Sequence, residues 1–200
     1  MRKCVVLVLS VFVFLCSGCA SYRAAPLAAL SPECVKESVE IPGLSIGCKS
    51  LSIAECSTYL DRNILKKGYQ PVEFTFYNRT NQSYVFFSNR LSLPTTSYEV
   101  VAKKVKTSTA GRVLGYAVPT VFLSPIFIIP TVVDGICSYK SNTRLYRDFA
   151  EKAPEYLLLP PGSYKMLLAF IAKKDFSPLF QICLQEQDTH LFKMVHVTAN

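Results

Sequence analysis

Near the start of the chain, a thiol follows two small residues in the sequence Cys16-Ser17-Gly18-Cys19. Small side chains at 17 and 18 let a protease reach the peptide bond before Cys19, and the Cys19 thiol can serve as a nucleophile. Cys16 is a poorer acceptor because the bulky Leu15 would precede that cut. The residues around Cys19 are therefore suited to cleavage before it, and Cys19 is the better candidate for a modified thiol.

The residues before Cys19 have the parts of an export signal. Arg2 and Lys3 form a basic end, and an apolar run follows from Val5 to Leu15. As a helix this run covers about 16 Å, whereas a hydrocarbon core is about 30 Å thick. We therefore expect residues 1–18 to be a removed signal peptide rather than a transmembrane helix.

The segment Cys16-Ser17-Gly18-Cys19 resembles the lipobox of bacterial lipoproteins, with Cys16 where Leu is usual. The resemblance implies a membrane anchor of acyl chains such as palmitate on Cys19. Ala20 and Ser21 after it imply the outer membrane rather than the inner one, by the sorting rules of such proteins. Ordinary secretion with cleavage nearby is the alternative.

Charge and composition limit the class of partner. The net charge is +8, of which Arg2 and Lys3 supply two, and half of the residues are apolar, enough for a folded core. Because the leader directs the chain out of the cytoplasm, the anionic partner expected is a membrane headgroup, not nucleic acid. Five cysteines remain after processing, so they cannot all pair internally. Cys48 could pair with Cys56, or Cys34 could pair with one of these two, and spacing does not choose between the pairings. All five are Cys34, Cys48, Cys56, Cys137 and Cys183.

The sequence offers no motif for catalysis, metal binding or a cofactor. It contains no nucleotide-binding glycine loop, GxSxG, HExxH or CxxC. The two histidines, His190 and His196, would lie roughly 20 Å apart on one strand and could not share an ion. We therefore expect no enzyme, no cofactor and no metal site.

Short β-like segments dominate the rest of the chain. Residues 19–38 predict a flexible tether, and residues 39–200 predict the folded domain, with a helix from Ala54 to Lys67 that ends at Gly68. The clearest strand runs from Tyr69 to Tyr77, and the turn Asn78–Gln82 predicts a hairpin with a returning strand at Ser83–Phe87. Four further strands at 155–159, 164–172, 179–184 and 189–197 predict a meander.

Residues 95–152 predict a helical, apolar insertion into this β pattern. Thr95 and Thr96 can cap its first helix. The stretch 113–133 carries no charge but contains Pro119, Pro125 and Pro130, which favour two short arms of a hairpin over one continuous helix. Shallow membrane insertion and a true span are the alternatives. The apolar contact residues predicted here are Val121, Phe122, Ile126, Phe127, Ile128 and Ile129.

Several runs between about 68 and 150 resemble small envelope lipoproteins of intracellular bacteria, the chlamydial type in particular. They are Gly68-Tyr69-Gln70-Pro71-Val72, Leu93-Pro94-Thr95, Val101-Ala102-Lys103-Lys104-Val105, Ser108-Thr109-Ala110-Gly111-Arg112 and Ile129-Pro130-Thr131-Val132-Val133-Asp134-Gly135. The resemblance implies an apolar insert and an envelope location, and it implies no catalytic residue.

These patterns together predict a mainly β chain with an α insertion: an immunoglobulin-like β-sandwich interrupted by an apolar helical hairpin. We expect a structural or interaction module of the envelope, held by lipid at Cys19, whose hairpin contacts a partner protein or the bilayer. Direct membrane remodelling by the hairpin, or a hydrolase assembled by folding, are the other functions considered.

Overall fold

The structure is a computed structural model that describes residues 21–108 and 128–200, with the backbone alone for 128–134. Its chain divides into two compact units, one made of Arg23–Val105 with Tyr146–Asn200 and the other of Met1–Tyr22 with Lys106–Leu145. We call the first the β unit, since it holds all the strands described here. In the other unit, the Asn142 side chain accepts from the Thr107 N–H and donates to the Thr107 carbonyl.

The described part of the chain is mainly β, with two antiparallel sheets and three α-helices. The strands are β1 (Val35–Glu37), β2 (Leu44–Ser50), β3 (Tyr69–Asn78), β4 (Tyr84–Phe87), β5 (Thr95–Thr96), β6 (Tyr156–Leu159), β7 (Tyr164–Ala172), β8 (Leu179–Glu186) and β9 (Phe192–Thr198). The helices are α1 (Ile53–Leu60), α2 (Tyr98–Val105) and α3 (Ile128–Lys152). One sheet has the order β1-β2-β3-β7-β5 and the other β6-β4-β8-β9.

Both sheets contribute to one buried apolar cluster. Phe74 and Phe76 of β3 are fully buried, and their rings lie 5.4 and 5.2 Å from the ring of Phe86 on β4. Phe180 of β8 meets Phe74 edge-on at 6.0 Å. Aromatic pairs in these tilted geometries add to the free energy gained from burial alone. The clearest predicted strand therefore supplies the centre of the core.

The prediction that β3 and β4 form a hairpin is wrong, although both strands are confirmed. β3 pairs with β2 and β7, whereas β4 pairs with β6 and β8 in the other sheet. The buried Asn78 side chain explains the crossing, because its Nδ2 donates to the carbonyls of Gln82 at 2.7 Å and Leu159 at 2.9 Å. The connection is thereby bound to β6 rather than folded back on β3.

The predicted C-terminal meander is also wrong in its pairing. All four strands exist, but β6 pairs with β4 and β7 pairs with β3 and β5, so only β8 and β9 form a hairpin. Between β6 and β7 the chain changes sheets through Gly162, whose φ of +70° favours glycine. The Gly162 N–H donates to the Asn78 carbonyl at 2.7 Å. The hydrogen bonds of Asn78 therefore join the β3–β4 connection to the β6–β7 connection.

Residues 19–38 were predicted to be a flexible tether. From residue 21, where the structure begins to describe them, they contact the folded domain instead. Val35–Glu37 is a strand that pairs with β2. The Ala25 N–H donates to the Thr58 carbonyl at 2.8 Å, and the Lys152 ammonium donates to the Ala25 carbonyl at 2.7 Å. Gly47 makes room for this segment, since a Cβ there would lie 2.9 Å from the Val35 side chain. Composition alone did not indicate these contacts.

Helix α1 is shorter than predicted. It begins with a capping box, in which the Ser52 hydroxyl accepts from the Glu55 N–H and the Glu55 carboxylate accepts from the Ser52 N–H. It ends at Leu60 because Asp61 takes a left-handed conformation, with φ of 48°. A separate turn of 3-10 helix follows, and Gly68 ends that turn with φ of +86°, at the position predicted for a helix stop.

The start of the predicted insertion, residues 95–152, also differs from the prediction. Thr95 and Thr96 form strand β5 opposite Ile171 and Phe170, and do not cap a helix; α2 begins at Tyr98. Pro130 does not interrupt a helix either, because it lies in the first turn of α3, where its missing N–H has no helical partner to lose. Residues 109–127, which carry most of the predicted hairpin, lie outside the described residues.

Candidate interaction surface

Part of the outer face of the four-stranded sheet is apolar. Val195 and Val197 of β9 point into the core, so Phe192 and Met194, which alternate with them, point outward. Phe192 is 48% exposed and Met194 is 44% exposed. On β6, at the opposite edge of the sheet, Leu159 points inward and Tyr156 and Leu158 point outward.

Strand register brings these side chains into rows across the sheet. Leu158 lies opposite Val85 on β4, and Tyr156 lies opposite Phe87. On the other side, Phe192 lies opposite Gln185, the residue that also pairs with Val85. We call the resulting surface the outer patch. Its members are Val85, Phe87, Tyr156, Leu158, Phe192 and Met194.

A cation lies at the edge of the outer patch. The guanidinium of Arg90 is 4.5 Å from the centre of the Phe192 ring and 5.3 Å from that of Phe87. An arginine over two aromatic rings is held by attraction to their π faces while its N–H groups stay available to solvent or to a carboxylate. The patch therefore combines apolar contact area with one fixed positive group, a composition found at protein interfaces.

A cleft of about 240 Å³ lies between the β1 region and the edge of β9. Glu40 Oε1 accepts from the His196 N–H at 3.3 Å and lies 3.1 Å from His196 Nδ1. The bond to His196 is the main reason that the pKa of Glu40 is lowered to about 2. Since the His196 N–H points away from β8, the carboxylate takes the place of a neighbouring strand at this edge.

Cys34 lines the same cleft, but its thiol and the His196 imidazole are held by different partners. The Cys34 sulfur lies 3.9 Å from Asn200 Nδ2, while His196 Nε2 is 2.7 Å from Gln181 Nε2. His190 is not on β9 as predicted; it lies in the turn before the strand, with φ of 57°. Among the described residues, no three His, Cys, Asp or Glu side chains are grouped to hold a metal.

The five cysteines after Cys19 are free thiols in this structure, so none of the pairings left open by the sequence is formed. Cys48 and Cys56 are buried. Burial raises the pKa of the Cys48 thiol well above its usual range and that of Cys56 to about 12, because a thiolate would lose its hydration there. Both thiols are therefore protonated and serve as small core residues.

A carboxylic acid is buried on the opposite face of β3 from the aromatic core. Glu73 is 2% exposed, and its Oε1 has no hydrogen-bond partner. Lys49 lies directly across on β2, but its ammonium bonds Glu55 at 2.5 Å. Burial therefore dominates and raises the pKa of Glu73 to about 7, with Lys49 lowering it and Glu55 raising it further. This group is a source of pH-dependent stability.

Most of the predicted site residues lie outside the described residues: Cys19, Val121, Phe122, Ile126 and Phe127. The backbone of Ile128 and Ile129 forms the start of α3. The outer patch was missed, although the sequence contained a signal for it. Tyr156–Leu159 is apolar at every position, whereas a strand with one wet face normally alternates.

In the described ranges, no helix is both long enough and apolar enough to cross a bilayer. Comparison with known proteins finds no family model, no curated protein and no solved structure that matches this chain.

Proposed function

We propose that this chain is a lipid-anchored protein of the bacterial cell envelope, acylated at Cys19, that binds a partner protein through its outer patch. The export signal and the segment Cys16-Ser17-Gly18-Cys19 support the anchor, and the resemblance to chlamydial envelope lipoproteins supports the location. Ala20 and Ser21 favour the outer membrane. More than one acyl chain gives stable rather than transient attachment.

The finer description of the fold belongs to the same proposal. We propose an immunoglobulin-like sandwich, in which the two sheets pack face to face. This is supported by the shared apolar cluster and by the rings of Phe74 and Phe86, which come from different sheets and lie 5.4 Å apart. The apolar residues at 121–129 remain part of the proposal as a second contact region, for a partner or for the bilayer.

The observation that carries the interaction function is the outer patch itself. Four of its side chains are exposed and two, Val85 and Phe87, are half-buried, whereas a strand facing only water would alternate with polar residues. Arg90, fixed over Phe87 and Phe192, selects among partners by charge. We therefore propose that the occupant is a protein surface with apolar side chains bordered by a carboxylate, which pairs with the Arg90 guanidinium.

Photo-crosslinking in intact cells tests this function. A benzoylphenylalanine placed at Phe192 or Met194 is expected to yield one discrete adduct, and the same group at Tyr164, which is 46% exposed on the other sheet, is expected to yield none. Arg90→Glu should abolish the adduct because it repels the partner's carboxylate. Equal adducts from all three positions, or an adduct indifferent to Arg90→Glu, would contradict the proposed surface.

The anchor is tested separately by labelling with radioactive palmitate. Cys19→Ser is expected to lose the label, and the matched variant Cys16→Ser is expected to keep it, because only Cys19 follows two small residues. Label retained by Cys19→Ser would refute the assignment of the acylated residue.

A further inference from the structure

The point where the N-terminal segment joins the β unit is closely fixed. The Arg23 N–H donates to Asp61 Oδ2 at 3.0 Å, and two residues later Ala25 bonds Thr58 at the end of α1. The buried Lys152 ammonium then joins Ala25, the Tyr59 carbonyl at 2.6 Å and the Asp148 carboxylate at 2.9 Å. The chain is thus attached to the domain from Arg23 onward.

Only four residue steps separate Cys19 from Arg23. Even a fully extended chain covers at most about 14 Å in four steps. If Cys19 carries the acyl chains, as proposed above, its sulfur is at the bilayer surface and Asp61, which bonds the Arg23 N–H, lies within about 20 Å of it. The end of the domain that contains Asp61 must then face the lipid headgroups.

That end of the domain is basic. Lys66 and Lys67 are exposed in the turn after α1, and the Gly68 carbonyl accepts from the Lys173 N–H at 2.9 Å, which places the β7–β8 turn beside it. Lys104 of α2 joins them, with its ammonium 4.8 Å from the centre of the Tyr69 ring. We call this surface the basic end. Its cations are Arg62, Lys66, Lys67, Lys104, Lys173 and Lys174.

The acidic side chains in the same two turns are Asp61, which is already paired with Arg62 at 3.0 Å, and Asp175. The turns therefore carry an excess of positive charge toward the proposed anchor. Near an anionic bilayer each Lys or Arg adds about 1 kcal/mol of attraction, which is about a fivefold gain in binding. The attraction acts over about 8–10 Å at physiological salt, a range comparable to the reach of the linking residues.

We propose that the basic end is a membrane-contact surface that binds anionic phospholipid headgroups and holds the β unit against the bilayer. This inference rests on the proposed acylation of Cys19. The short link supplies proximity and the lysines supply a second attachment, so the domain is oriented on the membrane rather than suspended from it. The outer patch, which uses other residues, is then presented in a fixed direction to its partner.

Lysine acetylation of the full, acylated chain in vesicles tests the proposal. We expect Lys67 and Lys173 to react at least about threefold more slowly in vesicles of phosphatidylcholine with phosphatidylglycerol than in phosphatidylcholine alone, and 1 M NaCl should remove the difference. Lys165 is the matched control. It pairs with Phe76, seven residues along β3 from Tyr69, and so lies about 23 Å from the basic end and should react equally in both.

Variants in the exposed β7–β8 turn complete the test. Lys173→Glu with Lys174→Glu should abolish the protection of Lys67 by phosphatidylglycerol, while Lys165→Glu should leave it intact. Lys67 and Lys173 reacting equally in both kinds of vesicle, on a chain shown by mass to be acylated, would overturn the membrane-contact surface alone. A chain that carries no acyl group at Cys19 would overturn both this inference and the proposed anchor.

Discussion

Replacing the buried Glu73 by glutamine is expected to stabilise the protein, and to do so more strongly as the pH rises. Burial raises the pKa of Glu73 from an ordinary value near 4.5 to about 7, so the folded state holds its proton more tightly than the unfolded state does. Between these two pH values the folded protein binds more protons, and its free energy of unfolding therefore falls as pH rises. The penalty is absent below pH 4.5 and complete above pH 7.

The size of the effect follows from the shift. A difference of one pKa unit corresponds to about 1.4 kcal/mol, so ionised Glu73 costs about 3 kcal/mol at pH 8 and about 1 kcal/mol at pH 5. Glu73→Gln removes this cost. Its other effects, such as the hydrogen-bonding needs of the amide, do not depend on pH. The gain in unfolding free energy should therefore be about 2 kcal/mol larger at pH 8 than at pH 5.

Urea unfolding followed by circular dichroism, at pH 5 and pH 8 in the same mild detergent, measures this difference. Glu55→Gln is the matched control. Although burial raises the pKa of Glu55, the bond to Lys49 and the hydrogen bonds from Ser52 outweigh it and lower the pKa, so this variant should lose stability at pH 8. A Glu73→Gln variant that gains equally at both pH values, or that loses stability only at pH 8, would refute the reasoning.

Three further substitutions test contacts that stabilise the β unit. Lys152→Met should destabilise the fold by about 3 kcal/mol and make the segment near Ala25 sensitive to protease, because it removes the buried ammonium that bonds the Ala25 and Tyr59 carbonyls and the Asp148 carboxylate; unchanged proteolysis would contradict this. Gly47→Val should cost at least about 2 kcal/mol and speed hydrogen exchange in β1, since its side chain would meet those of Val35 and Leu30, and slow exchange there would disprove the close approach. Ser52→Ala should cost about 1 kcal/mol by removing the cap of α1, measured by thermal unfolding, whereas Ser57→Ala, further along the same helix, should cost less.

Strand positions were predictable where the local pattern was strong, and strand partners were not. The alternation in Tyr69–Tyr77 indicated β3, because Val72, Phe74 and Phe76 form one apolar set, and all three are buried. No local pattern distinguishes a hairpin from a crossing between sheets, since the difference depends on the Asn78 amide reaching Leu159, 81 residues away. The same limit hid the contacts of Ala25 with α1 and Lys152.

The candidate site also has one part that the sequence predicts and one part that it does not. The proposed motif at Cys19 would be read from the linear chain by a protease and an acyltransferase, so sequence alone is enough to predict it. The outer patch forms only when β4, β6 and β9, which are far apart in sequence, come into register. Likewise, alternation along β3 puts Glu73 on the face opposite the aromatic core, and its burial depends on what covers that face.

The alternation of strands between the two sheets has a consequence for folding. From β3 to β8 each new strand joins the opposite sheet from the one before it, so few strands can settle on an immediate neighbour. High contact order of this kind slows folding, because distant parts of the chain must lose conformational entropy to meet before strand pairing contributes favourable free energy. If the chain is exported as proposed, we expect the β unit to stay unfolded throughout translocation and to fold only once β7 and β8 have emerged. We would then expect it to need holding chaperones for that interval.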